Sequence, residues 1–265
     1  MLPDYTFFVH AKKMEFYSMK ERWGDIGEVR MFLYTHVIYK YNSDYFCARV
    51  PGRYASPREL PVIEPCLLQK LDGANVWPPL EQEIQVCYQP HEFDLHIKRP
   101  RLAEYDGSPV IGQYLVHEAR VCQVLTSHPH PNIVRFHGCT VGGRNEITGL
   151  CFDKYTETLT ERIQNGFPVD TKSCMAQIHA AVQHLHAQNL VHNDIVPDNI
   201  MFKSFGPSLA LVDFDSCTTR GYGLPKKRGP CPPAADSSEF ENDYYGMELI
   251  HNMLLKYEDK MRCRR

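Results

Sequence analysis

The segment "LVHNDIVPDNIMF" (190–202), with "LALVDFD" (209–215) after it, constrains this chain more than any other stretch. Pro197 stands between Asp194 and Asn199. No helix runs through both, because proline removes a backbone donor and clashes with the preceding turn. The apolar flanks "NLV" and "IMF" predict two short strands that pin an irregular loop at each end. A loop held this way can aim Asp194 and Asn199 into one space. "LALV" is an apolar run that ends on two carboxylates, Asp213 and Asp215. Asn and Asp oxygens are what Mg2+ takes as ligands when phosphates complete its shell. A separate carboxylate that orients a hydroxyl and accepts its proton is the other need of phosphoryl transfer.

Upstream, the pattern predicts strands first and helices later. "VRMFLYTHVIYKY" and "DYFCARVP" have aromatic and β-branched strand composition, and "NSD" between them is turn chemistry. The proline-studded piece at 50–65 reads as a connector, which puts a soft boundary near residue 60. "CLLQKL", "EIQVCY" and "FDLHIK" are three short strand candidates, with "DGANVWPPLEQ" as a loop between the first two. Pro109 suits the first turn of a helix whose apolar face takes Val116, Ala119 or Arg120, Val121 or Cys122, and Leu125. "NIVRFHGCT" and "ITGLCFDKY" read as two more strands. Thr158 and Glu161 have capping-box spacing, and Gly166 with Pro168 ends that helix. Asp170 caps a second helix with a stripe of Cys174, Ile178, Val182 and Leu185, and Asn189 closes it. The layout is α+β, with two lobes and a cleft between them.

Composition narrows the class. Net charge is −3, so no basic field argues for nucleic acid. The basic end "MRCRR" reads as solvated. The ten cysteines are never closer than 12 residues, which excludes C-x-x-C pairs, and buried reduced thiols fit a cytoplasmic or nuclear protein. "MLPDYTFFVHAKK" lacks a basic n-region and a long apolar core, so no signal peptide is expected. No run of 18 apolar residues predicts a spanning helix or a membrane partner.

The H-x-D-x-x-x-x-N plus D-F-x arrangement resembles the protein-kinase-like superfamily. "LHIKRP" resembles its third strand, with Lys98; "HEARVCQVL" resembles its following helix, with Glu118 20 residues later. "HPNIV" and "ENDYYGMELI", with Asp243 and Gly246, match further landmarks, the Asp propping the catalytic loop from below. "HNDIVPDNIM", "LVDFDSC" and "ENDYYGMELI" are most similar to fungal protein-kinase-domain proteins. The resemblance covers roughly residues 67–256. It implies a two-lobed kinase fold with ATP and Mg2+. Asp194 is then the catalytic Asp, Lys98 grips the ATP phosphates, Glu118 holds Lys98, and Asn199 and Asp213 bind Mg2+. It divides the chain into a strand-rich extension at 1–60, a small β-rich nucleotide-binding lobe at 61–155 and a helical catalytic lobe at 156–265.

The chain departs from that pattern in several places. No G-x-G-x-x-G precedes Lys98; Gly73 alone stands for the phosphate loop. Asn193 replaces the Arg before the catalytic Asp, Val196 replaces a Lys, and Asp215 replaces the D-F-G glycine. The segment from Asp213 to Asp243 lacks A-P-E and contains the basic, proline-rich "LPKKRGPCPP". Only 19 residues follow Gly246, so either a reduced C-terminal lobe or an incomplete chain is expected. The function implied is an ATP-dependent phosphotransferase resembling a Ser/Thr protein kinase, with a protein or small hydroxyl acceptor. The alternatives are a pseudokinase scaffold, suggested by the missing glycine loop, and a small-molecule kinase, suggested by Asn193 and Val196. Taken singly, each residue has a plainer reading: Lys98 as a strand-end lysine, Glu118 as a solvated helix charge, Asp194 and Asn199 as turn residues. His192 reads as a satisfied buried histidine and Asp243 as a buried structural acid.

Overall fold

A computed structural model describes residues 14–27, 29–90, 94–203 and 206–263. The signal-peptide reading, on residues 1–13, and the last two residues of the basic end lie outside the described residues. The chain forms two compact units.

The first unit holds residues up to Pro78 and Pro100–Gln113. Strands β1 (Glu15–Ile26), β2 (Val29–Tyr41), β3 (Asp44–Val50) and β4 (Gln69–Lys70) make an antiparallel sheet in that order. The expected hairpin is β2–β3. Its turn is at Asn42, which takes φ 53°, a left-handed conformation that Asn tolerates better than most residues. β1 was not visible in the sequence pattern. Of "CLLQKL" only Gln69–Lys70 is strand, and Pro65–Leu67 is a 3-10 turn. The expected loop at "DGANVW" contains helix α1 (Gly73–Val76), because the Asp72 side chain accepts the Ala74 N–H and starts a turn. Ile38, Leu71, Val76, Leu102 and Tyr105 are buried together here.

The second unit holds Pro79–Arg99 and the chain from Tyr114 onward. β5 (Leu95–Lys98) precedes helix α2 (Val110–Thr126), and β6 (Phe136–Val141) and β7 (Ile147–Asp153) follow. Their sheet runs β5-β7-β6. "EIQVCY" is not a strand: Val86 makes one isolated bridge to Cys139, and the Cys87 N–H donates to the Cys139 oxygen. Gly138, at φ 114°, lets residues 85–87 press on the sheet; a Cβ there would lie 2.8 Å from the Gln85 oxygen. On α2 the buried apolar residues are Leu115, Ala119, Val121, Cys122 and Leu125, while Arg120 is exposed.

β8 (Glu157–Thr158) leads into α3 (Leu159–Gln164), whose capping box between Thr158 and Glu161 is formed as expected. α4 (Thr171–Ala187) is capped by Asp170 through the Ser173 N–H. Its stripe of Cys174, Ile178, Val182 and Leu185 is fully buried against the unit's main core. Asn189, at φ 58°, turns the chain out of α4. β9 (Leu190–Val191), β10 (Ile200–Phe202), β11 (Leu209–Leu211) and β12 (Thr218–Thr219) are the short strands around the opening motif. β10 pairs with β11 and β8; β9 pairs with β12. The long helix α5 (Phe240–Arg262) carries Asp243 and Gly246 and packs on α4. Strands dominate early and helices late, the α+β layout expected. Among the described residues no helix is long and apolar enough to cross a membrane.

Candidate active site

The site lies within the second unit. Three short elements deliver its acids. Residues 190–202 leave β9, cross as an irregular loop with a 3-10 turn at Pro197–Asn199, and re-enter as β10. Two neighbours in this loop region take left-handed backbone, Asn193 at φ 61° and Asp213 at φ 65°. Non-glycine residues rarely adopt that region, and such local strain concentrates at functional sites.

Asp243 supports the loop from beneath. It is wholly buried, and it accepts the N–H of His192 at 2.9 Å and of Asn193 at 2.8 Å. His186 Nε2 contacts the same carboxylate at 2.9 Å. The Asn193 side chain is a buried hub. Its Nδ2 lies 3.1–3.2 Å from the Val191 and Ser216 oxygens and Ser238 Oγ, and its Oδ1 accepts from Asn242. A flexible Arg is replaced here by a fixed amide. His192 is buried and satisfied, as expected. Its Nε2 faces the Val212 oxygen at 3.2 Å, and its Nδ1 accepts the Asp194 N–H at 3.3 Å, which assigns the proton to Nε2.

Asp194 and Asn199 meet. Asn199 Nδ2 donates to both the backbone oxygen and Oδ2 of Asp194, each at 2.9 Å. Burial pushes the Asp194 carboxyl above its ordinary range, against His192, Asn199 and Lys227, which pull it down. Lys98 ends β5 and reaches Glu118 Oε1 at 2.8 Å, Glu118 Oε2 at 2.6 Å and Asp213 Oδ1 at 2.6 Å. Glu118 is only 2% exposed, and its Oε1 also accepts the Phe214 N–H at 3.1 Å. Burial opposes the charge on Lys98, but Glu118, Asp213 and Asp215 outweigh it and hold its pKa above the ordinary lysine value. Burial likewise works on Asp213, and Lys98 with Lys227 overcomes it, holding that carboxyl well below its usual range.

Sequence reasoning missed one participant. Lys227, from the "PKKRG" run, donates to Asp213 Oδ2 at 3.1 Å and Asp215 Oδ2 at 2.5 Å. Its signal was a basic cluster in an irregular segment, which says nothing of where the chain returns. Gly73 does not join these contacts; it opens α1 in the first unit. Among the described residues no three His, Cys, Asp or Glu are arranged to hold a metal ion.

The donor set suits Mg2+ that shares its shell with phosphate. Asn199 gives its Nδ2 hydrogens to Asp194, which leaves its Oδ1 as an oxygen donor; Asp213 adds a carboxylate kept ionised by its lysine partners. Both are hard oxygen donors, and too few to hold Mg2+ without phosphate and water oxygens.

The family model described as "Protein kinase domain" matches residues 102–256. Lys98 lies just before that match, so its place in the site rests on geometry. A calcium/calmodulin-dependent protein kinase type II subunit delta from Oryctolagus cuniculus is 34% identical over 108 residues, 38% of this chain and 19% of that protein. The type II alpha chain from Drosophila melanogaster matches to the same extent. The match thus spans about a fifth of the length of these curated relatives. A crystal structure of the yeast RNA Pol II CTD kinase CTDK-1 complex aligns at 19% identity and a TM-score of 0.49, over 62% of this chain and 55% of that one. The family match takes in Glu118, Asp194, Asn199 and Asp213 and covers more than half of the residues, and the chain belongs to the protein kinase domain family.

Proposed function

We infer that the second unit is an ATP- and Mg2+-dependent phosphotransferase acting on a protein hydroxyl, in the manner of a Ser/Thr kinase. One observation carries this reading: Lys98 is shared between Glu118 and Asp213, while Asn199 is tied to Asp194. Lys98, steadied by Glu118, grips the ATP phosphates. Asn199 and Asp213 hold Mg2+, which when bound offsets charge on the phosphates. Asp194 orients the acceptor hydroxyl and takes its proton as the hydroxyl oxygen bonds to the γ-phosphorus and the bond to ADP breaks. Its raised pKa makes it a better base than an ordinary aspartate. Within the second unit, Lys98 held by Glu118 supplies the nucleotide grip and residues 190–202 the catalytic loop; ten free cysteines support a reducing cytoplasmic or nuclear setting.

One observation favours a second reading, a binding module without turnover. Among the described residues β5 pairs only with β7, so no glycine-rich hairpin lies along its other edge. A thermal-shift titration with ATP, with and without Mg2+, on wild type and Asp213→Asn separates the two. A Mg2+-dependent rise that the variant loses supports the phosphotransferase; no shift in a folded wild type supports the module.

A further inference from the structure

The mechanism proposed above uses no residue of the first unit, yet that unit holds a cavity of about 320 Å³ on its sheet. The backbone explains the opening. β4 pairs with β3 only at Phe46 and Cys47, because the chain just before Gln69 is the 3-10 turn Pro65–Leu67. The edge strand therefore stops short of Arg49. The space between Arg49, Leu67 and Tyr105 is the cavity.

Strand register gathers its polar groups. His36 stands opposite Arg49, and Tyr34, two residues earlier, shares their face. Ile38, two residues later, is buried with Tyr105, so one face runs from the core into the cavity. The Arg49 guanidinium lies 5.1 Å over the Tyr34 ring. Stacking takes its flat side and leaves its edge N–H groups, which make no hydrogen bond or ion pair among the described residues. His36 is only 3% exposed. Its Nδ1 lies 3.1 Å from the Ala103 oxygen, which can only accept, so Nδ1 carries the proton. Burial holds the ring below its ordinary pKa, so it is neutral at neutral pH and Nε2 keeps its lone pair. Asp106 Oδ1 accepts the Ser108 N–H at 2.9 Å and the Ser108 hydroxyl at 2.6 Å, and these bonds favour the ionised carboxylate. Arg49 and Asp106 both act on the charge of His36, yet no ion pair joins them among the described residues.

The cavity thus offers a cation, a carboxylate and a neutral acceptor, with Ala48, Leu67 and Tyr105 as apolar wall. A dianion is repelled by Asp106, and a simple cation by Arg49. A wholly apolar ligand leaves three polar groups without partners. We propose that this cavity binds a free α-amino acid with an apolar side chain. The α-carboxylate takes the edge of Arg49, the α-ammonium donates to His36 Nε2 and Asp106 Oδ2, and the side chain lies against Leu67 and Tyr105. The site goes beyond the phosphotransferase reading and does not depend on it.

The test is saturation-transfer NMR on the full chain, titrated with L-phenylalanine and L-leucine. Each is expected to bind with a Kd of about 1 mM or lower. N-acetyl-L-phenylalanine lacks the ammonium, and L-phenylalaninol lacks the carboxylate. Both are expected to bind at least about tenfold more weakly, the scale of one lost hydrogen bond between charged groups. Two variants at exposed positions assign the partners. Arg49→Gln is expected to weaken L-phenylalanine by about tenfold and leave L-phenylalaninol unchanged. Asp106→Asn, which keeps an oxygen for Ser108, is expected to weaken L-phenylalanine by about tenfold and leave N-acetyl-L-phenylalanine unchanged. Melting temperatures equal to wild type establish that both variants are folded. No transfer to either amino acid at millimolar concentration overturns the site. Equal binding of either blocked derivative overturns recognition of a zwitterion. Wild-type affinity for L-phenylalanine in both folded variants places the ligand elsewhere and overturns the proposal. Displacement of L-phenylalanine by an equal concentration of inorganic phosphate marks a plain anion site and overturns it too.

Discussion

The carboxylate of Asp243 accepts the backbone N–H of Asn193 at 2.8 Å, from a position with no solvent exposure. That bond joins helix α5 to the loop that presents Asp194. The same carboxylate takes the His192 N–H and faces His186 Nε2. Asp243→Ala orphans two buried backbone donors at once. Each unsatisfied group costs about 1–3 kcal/mol, so a loss of about 2–6 kcal/mol is expected. Both tryptophans, Trp23 and Trp77, belong to the first unit, so the readout is urea unfolding by circular dichroism at 222 nm. A midpoint equal to wild type removes Asp243 as the support of the loop.

Lys98 and Glu118 make a second, sharper case. Lys98→Met leaves the buried Glu118 carboxylate without its cation, a break that costs about 3–5 kcal/mol. Adding Glu118→Gln removes the stranded charge, keeps an acceptor for the Phe214 N–H, and leaves Asp213 with Lys227. The double variant is expected to melt higher than Lys98→Met alone. If the double variant melts at or below the single one, Glu118 is not an ionised partner of Lys98 in the folded protein.

Much of this arrangement could be read from local chemistry. Thr158 with Glu161 and Asp170 with Ser173 cap their helices where the residue types demanded. Pro197 broke the chain into the pinned loop, and Leu209–Leu211 of the apolar run "LALV" form a buried strand two residues before Asp213. What stayed hidden had a physical cause in each case. β1 carries register shifts between Phe16 and Ser18 and between Arg22 and Trp23. Each shift disturbs the alternation of faces, and so erases the period-two signal that marks a strand. "EIQVCY" has strand composition, yet it lies across Gly138 with one bridge instead of a ladder. Lys227 reaches its partners only through a turn of the irregular chain, which no periodicity encodes.

The raised pKa of Asp194 predicts a pH signature. Burial disfavours its charge in the folded state, so its folded pKa lies above the ordinary 3.8. Between those two values the folded chain binds more protons than the unfolded one, and stability falls as pH rises. The cost persists at every higher pH. Asp194→Asn has no charge to bury and still offers Asn199 an oxygen. It is expected to melt above wild type at pH 7.5, with the gap closing as pH falls through the folded pKa toward 3.8. Melting curves across that range check it. A folded Asp194→Asn that melts lower at pH 7.5, or a gap that ignores pH, sinks the reading.

Gly246 predicts a packing limit on the loop that carries Asp194. On helix α5 it faces Ile195, the residue after Asp194. A Cβ at Gly246 would meet the Ile195 backbone oxygen at 2.6 Å and its Cβ at 2.8 Å. Neither atom is the end of a flexible side chain, so backbone must move. Alanine is the better helix former by about 1 kcal/mol, which sets the gain. Overpacking costs about 1–3 kcal/mol, and here two contacts lie inside van der Waals distance, so the cost wins. Gly246→Ala is expected to lower the melting temperature. It should also cut phosphoryl transfer by about a hundredfold, the scale of a 1 Å misplacement, while Mg2+·ATP still raises the melting temperature. Gly143→Ala is the control, since a Cβ there meets nothing within 4 Å and its φ is ordinary. If Gly246→Ala behaves like Gly143→Ala in both stability and turnover, α5 does not set the position of Asp194.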